Sequence, residues 1–192
     1  YCPLAVNTDR LKSMFNDEYE GKNQLYAGDI SFIGSMYNEK HNLYDRLCGV
    51  NDYTKGYLDA IMKVQRSIYG YFFLENMLKG DVLDEMMRVC PVKPNEDGVE
   101  TVQYVYANYF LARRMATDER TDILSRVGRE LGRENKINLY TPDASVRFIN
   151  VNNKGTVDYY NEMPYVFRNS RINLNITLRS IKSGIPLRCM DI

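Results

Sequence analysis

The sequence predicts an α/β fold: part of a doubly wound, Rossmann-like parallel sheet with a large helical insertion after its first strand. Three observations carry this. "DISFIGS" (29–35) is a mostly apolar strand closed by Gly34-Ser35, the pattern of a strand covered on both faces. Further along, helical stretches alternate with the short apolar strands "KINLYTP" and "RINLNIT", the repeating unit of a parallel sheet. Between them, residues 43–115 carry helical periodicity, an insertion of about 70 residues.

The elements follow in order. Residues 1–28 read as a connecting segment, with Asn7-Thr8-Asp9 capping one or two helical turns. After the first strand, "YLDAIMKVQRSIYGYFFLENML" places Leu58, Ile61, Met62, Gln65, Ile68, Tyr69 and Phe72 at steps of three and four, an amphipathic face. "DVLDEMMRVC" is a shorter helix broken by Pro91 and Pro94. "VETVQYVYANYFLARRM" reads as helix by its length and its Ala, Leu and Arg content. Thr117 is expected to cap a new helix with Ile123, Leu124, Val127 and Leu131 inward and Gly132 at its end. A strand follows at "KINLY", stopped by Pro142, and a short one is expected around Val157–Tyr160. Pro164 marks the first turn of another helix, "RINLNIT" is the last strand, and "SGIPLRCMDI" opens a final helix with Ser183 as cap and Pro186 in its first turn.

Composition narrows the function classes. The 192 residues are 44% hydrophobic, enough for one core, and the formal net charge of +0 gives no reason to expect a nucleic-acid or acidic-membrane partner. No run of apolar residues is long enough to span a bilayer. Tyr1-Cys2-Pro3-Leu4 has no charged leader and no initiator Met, so the sequence reads as starting in mid-protein. Cys2, Cys48, Cys90 and Cys189 are far apart and His41 is the sole histidine; cytoplasmic free thiols are expected rather than a zinc site, and no metal or cofactor. His41, between Glu39 and Asp45, reads as a solvated loop residue. The sixteen Tyr supply half-buried bulk at a core rim or around a cleft, Tyr159-Tyr160 included, and Met86-Met87 fill core. No GxGxxG or GxxxxGK[ST] occurs, which disfavours a dinucleotide or P-loop enzyme.

The chemistry-bearing stretch is the last strand and its turn. A helix start after a parallel strand presents unpaired backbone N–H groups and a positive dipole end to phosphate. Arg179, Lys182 and Arg188 surround it, with Ser180 and Ser183 as hydroxyl donors and Gly184 allowing close backbone approach. On spacing alone, a diphosphate seat and an ordinary turn with solvated basic residues are both open.

The stretches "DISFIGSMYNEKHNLYDRL", "YTKGYLDAIMKVQRSIYGYFFLENML", "INLYTPD" and "MPYVFRNSRINLNITLRSIKSGIPLRCMDI" resemble the spore-maturation-type (CgeB-like) glycosyltransferases of bacteria, of the two-domain GT-B kind. The resemblance covers roughly 1–8 and 28–192, most specifically at "SGIPLR". It implies a piece of a longer, cytoplasmic enzyme: residues 1–28 at the end of the acceptor domain and its linker, residues 29–192 the first half of the nucleotide-sugar-binding domain. It also implies donor-diphosphate contacts from Arg179, Lys182, Ser183, Gly184 and Arg188, with Gly34 and Ser35 facing the same cleft, no obligatory metal, and Asp191 near sugar or ribose. No general base is named, since such bases come from the other domain. The piece alone is expected to be inactive, to bind a nucleotide-sugar and a carbohydrate, lipid-linked or protein acceptor, and to expose an apolar sheet edge suited to a homodimer. The alternative is a non-catalytic binding or assembly module on the same fold.

Overall fold

The computed structural model describes residues 7–15, 20–38, 42–94, 98, 100–182 and 186–192. The chain forms two compact units. A sheet unit comprises Tyr1–Met36, Thr121–Ile176 and Gly184–Ile192; a helical unit comprises Tyr37–Arg120 and Thr177–Ser183.

In the sheet unit, α1 (Thr8–Met14) and α2 (Glu20–Tyr26) precede β1 (Gly28–Ile33). The Asn7 side chain caps α1 by accepting from the Arg10 N–H. β2 (Ile137–Tyr140), β3 (Val151–Asn153), α8 (Met163–Arg168), β4 (Ser170–Leu174) and α9 (Leu187–Asp191) complete the unit. The strands lie in the order β3-β2-β1-β4, all parallel, with Ile30 opposite both Ile137 and Ile172. The fold is therefore α/β as the sequence predicts, and the winding reverses at β1: β2 and β3 build outward on one side, β4 on the other.

The apolar runs make these strands because both faces are covered. Phe32 and Leu139 pack with Leu124 and Ile176 on one face; Ile33 and Tyr140 pack with Tyr26, Met163 and Val166 on the other. Each such side chain, fully buried, contributes on the order of 1.5–3 kcal/mol. The buried Ser31 is satisfied across the β1/β4 ladder, its hydroxyl donating to Asn173 Oδ1 at 2.8 Å, and Asn173 Nδ2 donates to the Phe167 carbonyl. Gly128 lets its helix lie against the turn before β3: a Cβ there would meet the Ile149 carbonyl oxygen at 2.2 Å.

The helical unit is built on α3 (Asp52–Ser67), α4 (Leu74–Met77), α5 (Asp81–Val89) and α6 (Val102–Val105), after a 3₁₀ turn at Leu43–Leu47. A π-helical stretch, Tyr106–Leu111, follows α6 and leads into α7 (Ala112–Leu131), whose last residues belong to the sheet unit. Leu58, Leu74, Met86, Tyr106, Leu111 and Met115 form the fully buried centre.

Five local expectations are corrected. Leu131, expected inward, is 46% exposed at the end of α7. Thr117 does not cap a new helix; it lies inside α7, its hydroxyl donating to the Arg113 carbonyl one turn back and to the Tyr37 carbonyl. No strand forms at Val157–Tyr160, because the Asp158 carboxylate accepts from the Tyr160 and Asn161 N–H groups and turns the chain; the strand is at Val151–Asn153. Ile68 and Tyr69 are exposed rather than on the inward face of α3, which ends at Ser67. Pro186 stands just before α9 rather than inside its first turn. The proposed cap Ser183 lies outside the described residues, as do His41, Glu39 and Cys2.

Candidate functional site

In a doubly wound sheet the ligand crevice lies beyond the carboxyl ends of the strands that flank the reversal, here β1 and β4. Gly34-Ser35 forms the β1 lip and Asn175-Ile176 the β4 lip. The Gly34 N–H is not presented outward: it donates to the Tyr140 carbonyl at 3.0 Å and extends the ladder by one residue. What makes this edge chemically distinctive is the end of β2. Thr141, 1% exposed, and Tyr140, also buried, carry hydroxyls with no hydrogen-bond partner among the described residues. An unmet buried hydroxyl costs about 1–3 kcal/mol. Thr141 carries one just past the end of β2, Asn138 Oδ1 is likewise unpartnered within the strand, and the Tyr140 ring packs away from Thr141 with Tyr26 and Met163. Burial also pushes the Tyr140 phenol pKa up, keeping it a neutral donor.

α9 carries Arg188, which reaches Asp191 Oδ2 at 3.6 Å and lies 5.5 Å from the centre of the Phe167 ring. Asp191 also accepts from the Tyr159 hydroxyl at 2.8 Å, a bond that raises the phenol's pKa. Tyr159 and Tyr160 meet edge-on and both are exposed.

Arg179 and Lys182 belong to the helical unit, not to the unit that carries Arg188, Gly34 and Ser35. Arg179 forms a two-point ion pair with Glu119, each side chain only 11% exposed, and its guanidinium carbon sits 3.5 Å from the centre of the Tyr69 ring. Burial works against the Arg179 charge, but its hydrogen bonds to the Glu119 carboxylate and then to Tyr69 outweigh it, so its pKa is raised. Lys182 Nζ lies 2.6 Å from Glu75 Oε1. Thus every cation expected at a diphosphate already holds a carboxylate, and Ser183 and Gly184 lie outside the described residues. Asp191 was expected near sugar or ribose, but Glu119 and Glu75, and the Thr141 and Tyr140 hydroxyls, were not picked out in the sequence. For Thr141 a signal existed: it is the residue that ends a fully buried parallel strand.

Among the described residues no group of three or more His, Cys, Asp or Glu side chains is placed to hold a metal. None of the described helices is long and apolar enough to cross a membrane. The chain matches no family model, no curated protein and no solved structure.

Proposed function

We propose that this chain is the donor-side portion of a glycosyltransferase, passing a sugar from a nucleotide diphosphate to an acceptor hydroxyl, as in the making of a cell-surface or spore polysaccharide. The observation that carries the reading is the reversal of winding at β1, with the Gly34-Ser35 lip after β1 and the unpartnered Thr141 hydroxyl just past the end of β2. The "SGIPLR" resemblance supports it independently.

In this reading Arg188 stabilises the charge that develops on the leaving diphosphate, where a preorganised cation acts without reorganisation. Its pairing with Asp191 holds the guanidinium on Phe167 and leaves a carboxylate beside it that suits sugar or ribose hydroxyls. Arg179 and Lys182, each committed to a carboxylate in the helical unit, act as supports of that unit rather than as a diphosphate clamp. The acceptor site and general base belong to another part of the enzyme. The test is calorimetric titration with UDP-, GDP- and dTDP-sugars. One of them should bind, and Arg188→Ala should weaken it about 10–100-fold, a loss of ~1.4–2.8 kcal/mol, at unchanged melting temperature. Absence of binding by all three, or equal loss of stability and affinity, rejects the assignment.

A second reading, a non-catalytic binding module, is favoured by the carboxylate held by each of the three cations. It predicts nucleotide-sugar binding with no transfer or hydrolysis in the full-length protein.

A further inference from the structure

The helical unit contains a cavity of about 300 Å³, at the low end of small-molecule pockets. Its floor is organised by one buried residue. Gln65, 1% exposed, donates from Nε2 to the carbonyls of Ile68 and Tyr71 and accepts the Phe73 N–H on Oε1. That pins the 68–73 turn, in which Gly70 takes the left-handed backbone (φ +81°). The turn throws Tyr69 and Tyr71 outward, 77% and 61% exposed, while Phe72 goes into the core. The Tyr71 hydroxyl is fixed in place by accepting from Asn76 Nδ2 at 2.9 Å.

The opposite wall is a polar relay. Asn108, buried in the π-helical stretch, donates to Glu75 Oε1 at 2.9 Å, and the same oxygen faces Lys182 Nζ at 2.6 Å. π-helical stretches cost regular hydrogen bonding and recur at functional sites, where they re-aim a side chain. Here the one that is re-aimed fixes a charged pair on a cavity wall. Lys182 also lies near the rings of Phe72 and Tyr104, at 5.9 and 6.0 Å.

The geometry points to a second binding site here, for a neutral hydroxyl-rich ring: the sugar unit of a glycan, bound by the helical unit itself. Charge compensation decides the class. Both lining cations are already matched, Arg179 by Glu119 and Lys182 by Glu75, so a phosphate would have to face or displace a carboxylate, whereas a sugar hydroxyl donates to Glu75 and accepts from Lys182 at once, bridging the pair without breaking it. Fixed amides beside the exposed Tyr71 ring complete what a pyranose needs: hydrogen bonds at its rim and an apolar surface for its C–H face. This site does not rest on the donor reading and shares no residue with the β1/β4 edge.

The test uses the whole 192-residue chain, labelled with ¹⁵N, titrated separately with methyl glycosides of glucose, galactose and N-acetylglucosamine, and with inorganic pyrophosphate. At least one glycoside is expected to shift the side-chain amide signals of Asn76 and Gln65 saturably. Tyr71→Ala should weaken that binding at least 10-fold with the circular dichroism and melting temperature of the parent, and Lys182→Met should weaken it as much with only the small stability loss of a half-exposed ion pair. If Lys182→Met destabilises the unit, Asn76→Ala, which lines the cavity and frees the Tyr71 hydroxyl, serves in its place, read at the Gln65 amide. No shift with any glycoside, shifts that survive the substitutions, or pyrophosphate binding in preference overturns the site. UDP-sugar binding lost on Arg188→Ala but retained in Tyr71→Ala separates the fate of this site from that of the donor edge.

Discussion

Removing Glu119 tests whether Arg179 supports the helical unit or waits for a ligand. The two side chains are joined at two points and almost wholly out of water. Glu119→Ala leaves a buried guanidinium with no carboxylate, facing only the Arg66 carbonyl and Tyr69 among its described contacts. Deleting one partner of a fully buried pair costs about 3–5 kcal/mol. Because a tenth of each side chain still meets solvent, a loss of about 2–4 kcal/mol is expected here. For a chain of this length that lowers the melting temperature by roughly 5–15 °C. Removing both charges with shape-conserving residues, Arg179→Met with Glu119→Leu, should return stability to within about 1 kcal/mol of the parent, because the orphaned charge goes with its partner. The measurement is urea unfolding followed by far-ultraviolet circular dichroism, as a double-mutant cycle. If each single variant shifts stability by less than about 0.5 kcal/mol, the pair behaves as a solvated surface contact and the supporting role is wrong.

Further outcomes follow from packing and titration. Gly128→Ala and Gly56→Ala should have opposite signs. The first gains ~1 kcal/mol of helix propensity but drives a Cβ into the Ile149 carbonyl and Val151, so a net loss of about 1–2 kcal/mol is expected; the second meets nothing within 4 Å and should stabilise by ~0.5–1 kcal/mol, both read by urea midpoint. In alkali, the phenols of Tyr26 and Tyr44, pushed up to about 12 by burial and then by Glu162 and Asp59, hold protons that the unfolded chain releases near pH 10. Tyr106, by burial, and Tyr109, by its bond to Glu100, are also pushed up to about 12. Their folded values lie above the unfolded one, so stability is intact below about pH 10 and falls as pH rises toward 12. Tyrosinate absorbance should therefore rise in step with loss of helical signal; complete ionisation in a chain that is still folded would contradict this.

The sheet's centre was legible because burial on both faces leaves a plain mark: "ISFI" and "INLY" are strands, and "RINL" carries β4. β3 was not legible. "VNN" is a three-residue edge strand with no apolar run, and its place is set by pairing with Ile137–Leu139 and by the glycine face of α7, both distant in sequence. The converse error at Val157–Tyr160 came from reading β-branched and aromatic content where the Asp158 carboxylate had already turned the backbone. Of the expected diphosphate residues, the sequence displayed the cations and Asp191 but hid Glu119 and Glu75, because an ion pair between residues 60 or 107 positions apart has no local signature. The resemblance proposed an activity; the neutralising carboxylates only became visible once the chain was folded.

β1 must wait for company. On a ribosome adding about 5–20 residues per second, the strand opposite Ile30 emerges on the order of ten seconds later, and β4 later still. During that interval the chain between them can condense on its own short-range contacts, while Ile30, Phe32 and Ile33 stay without a partner strand. A nascent-chain chaperone would thus find its clearest target in those few residues, and translation speed across 34–140 becomes a determinant of yield.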